Sequence, residues 1–323
     1  MRILVVGAGV IGTIYGWLLS EAGHQVTHLL RPGKAGRFVD GVSLDVLDKR
    51  KGYAGNLRLR YPVAVTEVIE DDYELVIVPT KPYQLIDALQ RLAPEVRAGA
   101  TYLLLTQNWA GTAAIDAVIP RDRYLFGDAQ AGGTFIDGTL VCAIFPKIVL
   151  GRVDGGRDPA LDRVAAIFAD AGVRPVVPPD VLHFIWIQYA INAGLWPPMV
   201  RAGSLRGLLR DRALGTASLL AAAECLRVTA ARGVDLDAFP ETRLFLRTTS
   251  PLGRLVAAMA MRLLFRFGKA VNRTSAHALA DPREITTAYH DLVTTGRRLG
   301  VAMPVMDGFE ADVTAFAGLA AEK

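Results

Sequence analysis

The chain has 323 residues, of which 51% are hydrophobic and 21% charged. That is too long for one ordinary core, suits two domains, and excludes intrinsic disorder. Lys and Arg number 36 against 32 Asp and Glu, and the net charge of +4 reads as spread without a polybasic block, so no nucleic-acid partner is expected.

The first half alternates short β-branched runs with helical stretches, the pattern of a parallel sheet with crossover helices. Strands are expected at residues 2–6, 25–30, 74–78 and 101–105, and helices at 10–22, 83–92 and 112–118. Pro82 suits the first position of the middle helix, where its missing donor costs nothing. Residues 41–65 read as a small antiparallel excursion and 134–151 as a hairpin; a helix at 159–171 and a strand at 174–177 close the domain. At Pro178-Pro179 the character changes, and beyond it helices are expected at 181–195, 205–232, 252–271, 285–299 and 305–316. The expected fold is therefore α/β, a doubly wound parallel sheet over residues 1–178 followed by an all-helical domain over 179–323. The cleft between two such domains is the natural place for chemistry.

Gly7-Ala8-Gly9-Val10-Ile11-Gly12 follows the first strand and opens the first helix. In that context Gly7 permits the tight turn, Gly9 lets the backbone approach a pyrophosphate, and Gly12 allows close helix–strand packing. The free N–H groups and dipole at the helix start favour phosphate charge. The second strand ends in Arg31, with Lys34 and Arg37 close behind, where an NAD enzyme would place a carboxylate. An arginine there can pair with a 2′-phosphate, so NADP(H) is the expected cofactor.

With that glycine turn and Arg31, the blocks VPTKPYQ at 78–84, TQN at 106–108, IVLGRVDGG at 148–156, PDVLHFIWIQYAIN at 179–192, REI at 283–285 and LGVAMPV at 299–305 resemble the ketopantoate reductase (2-dehydropantoate 2-reductase) family, in its order and over nearly the whole chain. The resemblance implies an N-terminal Rossmann domain, a helical C-terminal domain of the 6-phosphogluconate dehydrogenase type, and NADPH-dependent reduction of a 2-keto acid. It implies that Lys81 lies beside the nicotinamide and that Asn108 ends a cofactor-binding block. It further implies that Asn192 and Glu284 contact substrate. The chain departs from the family in four places. Gln188 stands where the general-acid lysine belongs, Trp196 replaces a second substrate asparagine, Trp109 replaces a glycine, and the substrate serine aligns poorly, with Ser275 or Asn272 as stand-ins.

Hydride delivery to a ketone builds an alkoxide that needs a proton within hydrogen-bond reach. A primary amide donates hydrogen bonds but is a negligible proton source, and a positioned acid is worth about 10²–10⁴ in rate. Gln188 can polarise a carbonyl without replacing that proton. Lys81 is the best substitute donor, ahead of Tyr189, His183 and Glu284. Trp109 and Trp196, if they line the site, make it larger and less polar. The leading expectation is therefore an NADPH-dependent reductase of a bulkier, apolar or aromatic carbonyl, imine or activated-alkene substrate. The alternatives are a cyclase or isomerase on the same fold, ketopantoate reductase proper, and a non-catalytic NADPH-binding protein.

No histidine or cysteine spacing suggests a metal. Cys142 and Cys225 read as buried hydrophobes, and so few cysteines point to a reducing, cytoplasmic compartment. The opening residues lack the features of a secretory signal. Residues 252–271 are apolar but interrupted by Arg254, Arg262, Arg266 and Lys269, which argues against a membrane span. The part at 259–269 is read as a core helix with snorkelling arginines, the other readings being a wall for a lipophilic substrate or a membrane-surface helix. A homodimer is left open.

Overall fold

The structure is a computed structural model that describes residues 1–323 except 51–54, 154, 251, 258, 260–262, 264–267, 275–278, 280, 322 and 323. The chain divides into two compact units, Met1–Leu182 and His183–Lys323.

The first unit is built on β1 (Arg2–Val6), α1 (Val10–Glu21) and β2 (Gln25–Leu29), then β3 (Val42–Asp48), β4 (Gly55–Tyr61), β5 (Val65–Thr66), β6 (Leu75–Val78) and α2 (Leu85–Leu92). There follow β7 (Thr101–Leu104), α3 (Ala113–Asp116), β8 (Tyr124–Asp128), β9 (Ala131–Ile136), β10 (Thr139–Ile144), β11 (Lys147–Gly151), α4 (Pro159–Asp170) and β12 (Arg174–Val176). Eight strands form one sheet in the order β12-β11-β8-β7-β6-β1-β2-β5. From β5 to β8 every pairing is parallel, while β8 and β11 run antiparallel. Strands β1 and β6 are buried on both faces, as continuous apolar runs under crossover helices must be. The order reverses between β1 and β6, the switch point where open α/β sheets bind ligands at their carboxyl ends.

Register fixes what lies at that rim. Val6 pairs with Leu29, Val5 with Ile77, and Val78 with Leu104. The residues that follow, Gly7, Arg31, Lys81 and Asn108, therefore leave the sheet from one row of strand ends.

Two expectations were too simple. The excursion at 41–65 is the β3–β4 antiparallel pair, but it belongs to a second sheet, β4-β3-β10-β9. The hairpin at 134–151 is β9–β10 alone, turning at Asp137-Gly138, both with positive φ, as a two-residue hairpin turn requires; β11 returns to the main sheet. The helix expected from residue 83 begins as a tighter turn, Pro82–Gln84.

The second unit shows no strand among its described residues. Its helices are α5 (Val181–Arg201, whose first two residues belong to the first unit), α6 (Leu205–Arg210), α7 (Arg212–Ala231), α8 (Arg243–Leu246), α9 (Lys269–Thr274), α10 (Pro282–Arg298), α11 (Pro304–Asp307) and α12 (Glu310–Ala321). Helix α5 runs through Pro197 and Pro198 instead of ending at Leu195, because both prolines and Met199 are buried and packing outweighs local propensity. The helix expected at 205–232 breaks at Asp211, whose carboxylate accepts hydrogen bonds from the Ala213 and Leu214 N–H groups and restarts the chain as α7. The buried carboxylate of Glu224 likewise accepts from the N–H groups of Val305 and Met306 and starts α11.

Much of the expected core helix at 252–271 lies outside the described residues. In the part described, Ala257 is buried, but Leu252, Leu255, Val256, Met259 and Leu263 are all more than half exposed. Of the core-helix reading at 259–269, most lies outside the described residues, and the described Met259 and Leu263 are exposed where that reading expected burial.

Two predictions follow from packing. A Cβ on Gly194 of α5 would lie 2.4 Å from the backbone N and Cα of Ala222 on α7. Gly194→Val is therefore expected to lower the melting temperature by roughly 5–10 °C; an unchanged value in thermal unfolding would contradict the close approach of the two helices. In the first unit, burial holds His28 below the ordinary histidine pKa of 6.5. Its contribution to stability is complete above that value and is lost as pH falls through the folded pKa, because the unfolded chain then takes up the extra proton. Melting temperature should fall below about pH 6.5, and fall less in His28→Gln.

Candidate active site

The glycine turn has the shape that a dinucleotide needs. Gly7 has φ +84, which suits only a residue without Cβ strain. Gly9 is the N-cap of α1, and a Cβ there would meet nothing within 4 Å, so the backbone opens onto free space. At Gly12 the reverse holds: a Cβ would sit 2.9 Å from the Gly7 carbonyl oxygen, 3.1 Å from Val5 and 3.4 Å from Pro79. No side chain caps α1 and no acidic residue lies in its first turn. The N–H groups at Val10, Ile11 and Gly12 and the positive end of the helix dipole therefore point toward the open space, a fit for pyrophosphate.

The turn is held from β2. The Nδ1 atom of buried His28 lies 2.9 Å from the Gly7 carbonyl oxygen, and Nε2 lies 3.1 Å from the Tyr61 hydroxyl. A carbonyl only accepts, so the neutral ring carries its proton on Nδ1 and takes the Tyr61 hydroxyl proton at Nε2.

Arg31 is exposed at the end of β2, and Lys34 and Arg37 are exposed beside it in sequence. The loop is pinned by Glu67, whose carboxylate accepts from the N–H groups of Ala35 at 2.8 Å, Gly33 at 2.9 Å and Lys34 at 2.8 Å. These backbone donors, Ala35 and Gly33 foremost, hold the Glu67 carboxyl below the usual range.

At the other end of the rim, Lys81 is half-buried and precedes the Pro82–Gln84 turn in extended conformation. The hydroxyl of its neighbour Thr80 is buried without a hydrogen-bond partner among the described residues, so a bound group could satisfy it. Asn108 is buried, and its amide donates to the Gly111 carbonyl at 2.6 Å, closing the turn after β7. Trp109 is also buried, a packed side chain of that turn.

In the helical unit, α5 is buried along most of its length. Between Phe184 and Met199 its half-exposed residues are Trp186, Gln188, Asn192, Leu195 and Trp196. The last four fall at i, i+4, i+7 and i+8, one stripe that carries two amides beside an aliphatic and an indole side chain. Trp186 belongs to packing: the Arg232 guanidinium lies 3.6 Å from its ring centroid and His183 stacks at 5.5 Å. Tyr189 is buried and donates to Asp291 of α10 at 2.6 Å. Burial and the carboxylate raise its pKa, so it is a poor acid. Glu284 is half-buried in the first turn of α10, close enough to act electrostatically on Tyr189. Ser275 lies outside the described residues, as does the side chain of Asn272. Among the described residues no three His, Cys, Asp or Glu side chains gather as metal ligands.

His28, Glu67 and Asp291 had no motif to announce them; each matters through a contact made far along the chain. The family model described as "Ketopantoate reductase PanE/ApbA" matches residues 3–154. A 2-dehydropantoate 2-reductase of Pyrococcus abyssi is 26% identical over 259 residues, covering 77% of this chain and 80% of that protein. The fold is shared with the solved 2-dehydropantoate 2-reductase of Geobacter metallireducens, at a TM-score of 0.74 and 19% identity, covering 98% of this chain and 99% of the other. It is also shared with D-mandelate dehydrogenase solved with NADH and anilino(oxo)acetate, at a TM-score of 0.74, 18% identity and 98% coverage of both chains. A glycine turn shaped for pyrophosphate at the switch point of such a sheet agrees with these likenesses: the chain is similar to ketopantoate reductases (PanE/ApbA), which are nicotinamide-dependent oxidoreductases, and shares their fold.

Proposed function

We propose that the chain reduces the oxo group of a 2-oxo acid, or a related carbonyl or imine, that is bulkier and more apolar than ketopantoate, with NADPH as the cofactor. The observation that carries this reading is the open stripe of α5, where Gln188 and Asn192 stand beside Leu195 and Trp196. The stripe offers hydrogen-bond donors for a carbonyl oxygen and an apolar surface for a substituent, with no ammonium group among its residues.

NADPH supplies the hydride. Gly7, Gly9, Val10, Ile11 and Gly12 hold the pyrophosphate on backbone N–H groups, and Thr80 offers a hydroxyl at the next strand end. Arg31 pairs with the 2′-phosphate, on a loop kept in place by Glu67. On α5 the amides of Gln188 and Asn192 donate hydrogen bonds to the oxyanion as it forms. The resemblance, which sets Lys81 beside the nicotinamide, makes it the residue assigned to supply the proton; Tyr189 is locked to Asp291 and its pKa is raised. Glu284 orients the substrate. With only two cysteines, Cys142 and Cys225, both buried, the chain fits a cytoplasmic setting.

D-mandelate dehydrogenase, which shares the fold, binds anilino(oxo)acetate, an oxo acid with an aromatic substituent. That likeness supports a substrate of this kind by analogy of fold. Reduction of 2-dehydropantoate itself is the second reading, favoured by the names of the curated relatives and opposed by Gln188.

The direct test is NADPH oxidation measured against a panel of aryl- and alkyl-substituted 2-oxo acids beside 2-dehydropantoate. Consumption should be faster with the bulkier acids, and none across the whole panel would remove the reductase reading. Gln188→Lys should raise kcat for 2-dehydropantoate by about 10²-fold, the low end of what a positioned acid supplies; no gain would mean that the missing ammonium is not what limits this substrate. Arg31→Ala should raise KM for NADPH about tenfold while leaving KM for NADH nearly unchanged. An equal change for both would deny Arg31 a role at the 2′-phosphate.

A further inference from the structure

The longest stretch of one-signed charge lies in the helical unit. From residue 242 to 280 the sequence carries Arg243, Arg247, Arg254, Arg262, Arg266, Lys269 and Arg273 and no Asp or Glu, so the charge is less evenly spread than the composition suggests. Those seven positive charges exceed the net +4 of the whole chain. Within this run Leu252, Leu255, Val256, Met259 and Leu263 are 71%, 59%, 52%, 56% and 54% exposed. Leu252, Leu255 and Val256 share one side of a described helical stretch, and Met259 and Leu263 continue the same spacing in the sequence. Single exposed apolar residues are ordinary, but five at this spacing mark an interaction surface.

The charge pattern selects what covers this face. A second copy of the chain, paired about a two-fold axis through the same face, would set the basic run against itself. An anionic lipid surface accepts both features at once: the aliphatic row enters the boundary of the acyl region, and the flanking arginines and lysine meet the headgroups. Arg243, Arg247 and Lys269 are exposed, as this arrangement needs. The basic interruptions exclude a span through the bilayer. Among the described residues only α7 is long and apolar enough to cross one, and 56% of its apolar window is buried inside the protein.

We propose that the exposed residues Leu252, Leu255, Val256, Met259 and Leu263 dock the protein peripherally on an anionic lipid bilayer, with exposed Arg243, Arg247 and Lys269 of the same basic run supplying the attraction. The site lies apart from the glycine turn and from the α5 stripe in sequence, and docking does not depend on which substrate is reduced.

The experiment is co-sedimentation of the full chain with vesicles of phosphatidylcholine alone and with vesicles of equal parts phosphatidylcholine and phosphatidylglycerol. Binding is expected only to the anionic vesicles and should weaken as salt is raised. Leu255→Asp with Met259→Asp should reduce it at least tenfold, while Arg247→Glu and Lys269→Glu should each reduce it about fivefold or more. Circular dichroism melting checks that each variant keeps the parent fold, and the salt series on the unaltered chain stands without any variant. Equal binding to both vesicles, or to neither, would overturn the proposal. So would a concentration-dependent dimer that Leu255→Asp dissolves, since the face would then belong to a second copy.

Discussion

The first unit depends on one steric condition: the chain must leave β1 and enter α1 with no side chain between strand end and helix start. Gly12 meets it by lying 2.9 Å, as a hypothetical Cβ, from the Gly7 carbonyl oxygen, and Gly7 meets it with a backbone that other residues adopt only under strain. The carbonyl of Gly7 accepts a hydrogen bond from the His28 imidazole. That hydrogen bond ties the turn to β2, so the pyrophosphate end and the Arg31 end of the rim are fixed by one strand. Burial keeps the ring neutral, and only the tautomer with a proton on Nδ1 can serve both Gly7 and Tyr61.

Elements whose cause is local were legible in the sequence. The strand–glycine–helix opening, the strands at β6 and β7 and the helix α4 agree with their expected spans within a residue or so, because apolar period and capping residues act over a few positions. Asp158, for example, caps α4 through the Leu161 N–H with Pro159 following it. What escaped was set by distant partners. Two prolines read as a helix end, yet α5 continues because the surroundings of Pro197 and Pro198 are buried. The Asp137-Gly138 hairpin turn was legible in principle, since that dipeptide is a strong local signal, but the second sheet it serves pairs β10 with β3, which is distant in sequence.

The candidate site divides in the same way. Gly7, Gly9, Gly12 and Arg31 carry their chemistry in the motif itself, and the structure gives each a geometry that fits the motif. Gln188 and Asn192 depend on helical phase, which four-residue spacing conveys well, and both occupy the partly open stripe of α5. Glu67 was invisible because its work is done by a carboxylate accepting three backbone N–H groups from a loop that lies far from it in sequence. The tryptophans show the limit of counting aromatic residues: Trp186 and Trp109 are engaged in packing, and only Trp196 shares the open stripe with the amides.

The α5 stripe also constrains how reduction could proceed. An amide pair stabilises an oxyanion by hydrogen bonding at all pH values where the protein is folded, since neither side chain titrates. A lysine in the same place would supply a proton as well, and would attract the carboxylate of a small substrate. Under the proposed function, glutamine in its place would weaken two interactions with a compact keto acid, while an apolar substituent resting on Leu195 and Trp196 would gain contact area worth about 25 cal/mol per Å². Burying a surface of roughly 100 Å² in this way would contribute about 2.5 kcal/mol of binding, which lowers KM but does not replace the barrier lowering of a positioned acid. Under the proposed function, the substrate would bind by its apolar part and present its oxo group to neutral donors.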